Sequence, residues 1–96
     1  MMIVLTYDVC TGTVEGQYRL RKVAEICKNY GQRVQNSVFE CVIEPFQLVD
    51  LKNKLISIMD EEADSIRIYN LGSNWLHRVE HLGSKKPYNP EGTLIF

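Results

Sequence analysis

The sequence predicts one small α+β domain in which two helices cover one face of a β-sheet. Three observations carry that expectation. A chain of 96 residues is long enough for one sheet, two helices and a single core. Runs rich in Ile, Val, Leu and Tyr alternate with stretches whose apolar residues recur at helical spacing. No repeat or linker interrupts them, so residues 1–96 are expected to form a single domain.

Met2 to Val9 reads as a buried first strand. Thr11 to Gly16 is small and polar, as a loop would be. A helix is expected over about Gln17 to Tyr30, because Leu20, Val23, Ala24, Cys27 and Tyr30 recur on one face and Arg21, Lys22, Glu25 and Lys28 on the other. Gly31 falls where a left-handed helix stop is expected. Arg33 to Ile43 reads as strand, with Val34, Val38 and Val42 on one face and Arg33, Gln35, Ser37, Phe39 and Cys41 on the other. Pro45 suits the first turn of a second helix, whose buried stripe is Leu48, Leu51, Leu55, Ile58 and Met59. Ser65 to Leu71 is a further strand, and Leu76 to Leu82 a weaker one. The tail, about residues 84–96, breaks structure at Pro87 and Pro90 yet ends in Leu94-Ile95-Phe96, a trio that a last strand docked on a neighbouring subunit would bury.

This order points to a ferredoxin-like βαββαβ fold with an additional C-terminal strand, assembled as a homodimer. The fold needs two strands between its helices, and no Gly or Pro turn divides Arg33 to Ile43. A bend near Asn36-Ser37 would do so; one bent strand and two strands both remain open.

Apolar content of 45% and charged content of 24% are ordinary for a folded domain. No run reaches the roughly 18 apolar residues of a membrane span. Met1 to Leu5 has no basic flank and ends at Tyr7-Asp8, unlike a signal peptide, so no membrane partner and a cytoplasmic location are expected. Cys10, Cys27 and Cys41 match no zinc spacing and are expected to be reduced, with Cys27 and Cys41 filling core space. A formal net charge of −1 argues against simple coating of nucleic acid, but basic residues gather in the first half and Asp60, Glu61, Glu62 and Asp64 form an acidic connection, read as a solvated loop.

Asp8 is the strongest candidate for chemistry. A carboxylate leaving an apolar strand can anchor magnesium, which keeps several waters, or can simply cap a turn. Arg33 suits phosphate, Ser37 could donate to it, and Phe39 could stack on a base. With Gln35 they equally suit a sheet face buried in a dimer. Arg19, Arg21 and Lys22 read as phosphate contacts or as a solvated helix face. Tyr7 packs, or orients a substrate. His77 and His81 read as ordinary surface residues, and Trp75 as an anchor for the last strand.

Tyr7-Asp8, the basic helix, Gly31 and the segment Arg33-Val34-Gln35-Asn36-Ser37-Val38-Phe39, followed later by Ser65-Ile66-Arg67-Ile68-Tyr69, resemble the second family of CRISPR-associated proteins, Cas-two, over nearly the whole chain. The run Gly31 to Glu40 and the tail length look closest to the branch linked to subtype I-C systems. The resemblance implies a ferredoxin-like homodimer with Asp8 at the seam, binding magnesium, with manganese able to substitute. It implies a metal-dependent endonuclease acting on double-stranded DNA or single-stranded RNA, with Tyr7, Asp8, Arg33, Ser37 and Phe39 at the catalytic site and Arg19, Arg21, Lys22, Arg33 and Gln35 on nucleic acid. It also implies a part in spacer acquisition with the Cas-one integrase. Cys10 stands where a second acidic residue sometimes sits, leaving Asp8 as the only carboxylate at this strand end. The alternative function is a non-catalytic, duplex-binding dimer that bridges integrase subunits.

Overall fold

In the computed structural model, which describes residues 1–83, the first strand, β1, spans Met2–Asp8. Helix α1 covers Val14–Lys28, strands β2 and β3 cover Gln32–Gln35 and Val38–Val42, helix α2 covers Pro45–Ile58, and strand β4 covers Ser65–Gly72. The sheet is antiparallel in the order β2-β3-β1-β4, which places β1 between two partners. The run between the helices is therefore two strands. Asn36 and Ser37 make the turn without glycine or proline, and a register shift between Arg33 and Gln35 absorbs the extra residue.

The two-residue period of β1 sorts its side chains. Ile3, Leu5 and Tyr7 lie in one cluster with Val23 and Cys27 of α1, Leu51 and Leu55 of α2, and Phe39 and Cys41 of β3. Ile3, Leu5, Phe39 and Leu51 are fully buried, each worth about 1.5–3 kcal/mol of transfer free energy. Val4, Thr6 and Asp8 take the other face, where Val4 and Thr6 are half-buried and Asp8 exposed, while Met2 at the start of the strand is buried.

Several boundaries differ from the sequence expectation for local reasons. Helix α1 begins at Val14, earlier than Gln17, because the Thr13 hydroxyl accepts from the Gly16 N–H at 3.0 Å and caps the first turn. Gly31 is not in the left-handed region. It is glycine because a Cβ there would collide with the Glu40 carbonyl and Cys41 as the chain crosses β3. The weaker strand expected over Leu76 to Leu82 is absent among the described residues; Trp75–His77 forms a short 3₁₀ turn, and Arg78 donates to the Leu71 carbonyl at 3.1 Å. The expected C-terminal strand within residues 84–96 lies outside the described residues.

The acidic connection is not wholly a solvated loop. Asp64 accepts from Arg19 Nε at 2.7 Å and Nη2 at 3.3 Å, and from the backbone N–H groups of Cys10 at 3.2 Å and Asp60 at 3.0 Å. Its side chain is fully buried and that of Arg19 nearly so. The hydrogen bonds from Arg19 hold the Asp64 carboxyl below the ordinary carboxylate range. One side chain thus ties α1 to the β1 exit and to the α2–β4 connection.

Asp64→Ala leaves four N–H donors from three residues without their acceptor and should cost about 2–4 kcal/mol in urea denaturation at neutral pH. A depressed carboxyl contributes stability that is complete at neutral pH and is lost as pH falls below about 4. The variant should therefore lose less stability than the parent on acidification. An unchanged urea midpoint at neutral pH would contradict this role.

Candidate active site

Asp8 ends β1 on the sheet face away from the helices, opposite Ser65 of β4. It is exposed, and among the described residues no hydrogen bond or ion pair engages its carboxylate. Around it on that face, Thr6 stands between Val38 and Arg67, and Val4 between Glu40 and Tyr69. Arg67 donates to the Tyr69 hydroxyl at 3.2 Å. Burial pushes the Glu40 carboxyl up from its ordinary range. Among the described residues no group of three or more His, Cys, Asp or Glu converges to hold a metal. The donor chemistry at Asp8 is that of one hard, unpaired oxygen ligand. This fits a cation that retains much of its water, and a second copy of the same carboxylate would complete the fit.

Tyr7 points the other way and is buried, its hydroxyl donating to the Asn36 carbonyl at 3.1 Å. Its backbone N–H also donates to the Ser37 carbonyl at 3.1 Å, so the β2–β3 turn lies against the end of β1. Arg33, Ser37 and Tyr7 line a cleft between α1 and this turn, on the helix side of the sheet. Asp8 and the other sequence-derived site residues therefore flank one end of β1 from opposite faces.

Phe39 corrects an expectation. It has no exposed surface and cannot stack on a base; its ring lies 6.2 Å from that of Tyr7, with the Arg33 guanidinium 5.4 Å above it. Phe39 and Cys41 share a face with Arg33, which pairs with Phe39, and that face lies under the helices; the register shift moves Gln35 to the other face. Val38, by contrast, sits half-buried and Val42 exposed on the outer face. Gln35 stays exposed on the edge strand opposite Val38.

The basic residues of α1 also divide. Arg19 is committed to Asp64, so it is a structural residue rather than a phosphate contact. Lys22 pairs with Glu25 at 3.5 Å and approaches the Tyr18 ring at 5.8 Å. Arg21 is exposed on the cleft wall, joined by Lys28, which sequence reasoning does not single out as a site residue. Their seven-residue spacing, two turns along one face, is the signal that could have found it. All three cysteines are free, and burial raises the thiols of Cys27 and Cys41 to about 12 and about 11, leaving neither a ready nucleophile. His77 and His81 are exposed.

The family model described as CRISPR associated protein Cas2 matches residues 1–79. The chain is 57% identical, over 99% of both chains, to the CRISPR-associated endoribonuclease Cas2 of Chlorobaculum tepidum. It is 55% identical, over the full length of both, to the CRISPR-associated endonuclease Cas2 of Halalkalibacterium halodurans. Its fold matches the crystal structure of Streptococcus pyogenes Cas2 at pH 6.5 with a TM-score of 0.75 and 59% identity, over 86% of this chain and all of that one. Among the described residues no helix is long and apolar enough to cross a membrane.

Because Phe39 is core, Phe39→Ala should cost about 3–5 kcal/mol in chemical denaturation, and Phe39→Leu far less. Weakened nucleic-acid binding at unchanged stability would instead restore a base-stacking role.

Proposed function

The chain belongs to the CRISPR-associated Cas2 family, and from that premise we propose that it is a metal-dependent endonuclease whose active site forms where two copies meet. The observation that carries this reading is Asp8: an exposed carboxylate, unpaired among the described residues, at the end of β1 on the sheet face opposite the helices. Val4, Val38, Val42 and Tyr69 give that face enough apolar surface to bury against a second copy, which would bring two Asp8 carboxylates together.

Asp8 from each copy would hold magnesium or manganese. When bound, such an ion supplies a Lewis acid for the scissile phosphate and lowers the pKa of its water. The chain's own residues do the remaining work. Asp8 fixes the cation at the strand end and Ser65 borders it. The buried Asp64 holds the Cys10 N–H, which limits how far the loop after Asp8 can move. Arg33 and Ser37, on the other face, hold and orient the strand outside the reacting group. The substrate is double-stranded DNA, single-stranded RNA, or both, and the setting is spacer acquisition with the Cas-one integrase. A second reading, a duplex-gripping dimer that bridges the integrase without cutting, is favoured by the single exposed carboxylate that β1 supplies at this end, Asp64 being buried against Arg19.

Purified protein should cut linear duplex DNA or single-stranded RNA when magnesium is present. Asp8→Ala should slow cutting by roughly two orders of magnitude, and a chelator should abolish it. Cutting that persists in Asp8→Ala with chelator would overturn the nuclease reading. No cutting by any form, with duplex binding intact, would favour the adaptor.

A further inference from the structure

The sheet face that carries Asp8 lacks the arginine that the sequence reading placed beside it. Arg33 lies on the helix side, 5.4 Å over the buried Phe39 ring, and Arg19 is bound to Asp64. A carboxylate that anchors a cation answers only half of the charge in phosphodiester hydrolysis. The other half is the negative charge on the phosphate, and its donor must stand on the same face as Asp8.

Strand β4 supplies that donor. The register pairs Asp8 with Ser65 and Thr6 with Arg67, so Arg67 is the diagonal neighbour of Asp8 across the β1–β4 ladder. Diagonal neighbours on one face stand about 7–8 Å apart, within reach of a long side chain. Both residues are exposed, yet they do not pair; the ion pairs among the described residues engage Arg19, Lys22 and Lys54 instead. Arg67 Nη1 donates to the Tyr69 hydroxyl at 3.2 Å. That bond holds the guanidinium with a neutral partner and uses one of its five N–H donors. A carboxylate and a guanidinium thus stand side by side with neither charge neutralised by the other. Arg67 and Thr6 also lie between Asp8 and the apolar residues Val4, Val38 and Tyr69, at the margin of the surface a second copy would cover.

We propose that Arg67 is a catalytic residue, holding the non-bridging oxygens of the phosphate that is hydrolysed at Asp8, and that Tyr69 is its positioning residue. This role rests on the nuclease reading of Asp8. In the hydrolysis a P–O bond forms to water and the P–O bond to a sugar oxygen breaks. The water releases a proton to solvent, the leaving oxygen takes one up, and Arg67 stays protonated throughout. Its planar fork meets two non-bridging oxygens at once as charge gathers on them, a geometry that an ammonium does not copy.

Inorganic phosphate added to the Mn²⁺-loaded protein, followed by broadening of the phosphorus resonance, reads the site without any cutting. Arg67→Gln should weaken phosphate binding by about tenfold and leave the Mn²⁺ stoichiometry unchanged. In magnesium-dependent cleavage it should lower kcat by about a hundredfold, more than it raises KM. Arg67→Lys should recover part of that loss, and Tyr69→Phe should lose about threefold to tenfold. Lys52→Gln, on the exposed side of α2, should change nothing. Unchanged phosphate binding and kcat in Arg67→Gln overturn the assignment. A dimer lost in Arg67→Gln on sedimentation, with full activity in Arg67→Lys, would make the residue an interface contact and overturn it too. Parent protein that never cuts, with phosphate binding that still depends on Arg67, would refute the nuclease reading and leave Arg67 as the anion ligand of this face.

Discussion

Strand β1 is hydrogen-bonded on both edges, and its two-residue period governs what each functional side chain can reach. Tyr7 and Asp8 are neighbours in sequence, yet the period sends one under the helices and the other onto the opposite face. A slip of one residue would bury Asp8 and expose Ile3 and Leu5, so the core that stabilises the fold also fixes where the carboxylate emerges. The candidate site inherits its geometry from hydrophobic packing. The exposed Asp8 carboxylate and the cleft lined by Arg21, Lys28 and Arg33 lie on two faces that meet at one end of the strand.

The Arg19–Asp64 pair secures that end. The bonds from Asp64 to the Cys10 and Asp60 N–H groups join the β1 exit to the α2–β4 connection, and Arg19 brings α1 into the same knot. Burying one charge without its partner would be costly, so each holds the other in place. The loop after Asp8 also runs close to α1, where a Cβ on Gly16 would collide with the Cys10 carbonyl. If Asp8 meets its counterpart from a second copy, as proposed, such a restrained exit favours the meeting.

Much of this architecture is legible in the amino-acid sequence. The apolar run of β1, the helical stripes of α1 and α2, and the β-branched pattern of β4 each announce their element, because period and burial agree there. The β2–β3 turn is harder, since Asn36 and Ser37 carry no glycine or proline and a register shift between Arg33 and Gln35 precedes them. Phe39 keeps the face shared with Arg33 and Cys41, and it is core because that face is the one the helices cover. Arg19 resembles its neighbours on α1, and Asp64 resembles one more acid in a charged run. Only the packing of α1 against the α2–β4 connection, distant in sequence, pairs them. Lys28 is visible as a helix-face residue, but its convergence with Arg33 depends on where the hairpin folds back.

The central claim is that Asp8 from two copies shares one cation, and the most direct measurement is a Mn²⁺ titration followed by electron paramagnetic resonance. The account predicts about one tightly held ion per two chains, displaced by magnesium and lost in Asp8→Asn. One ion per chain, or binding that survives Asp8→Asn, would contradict it.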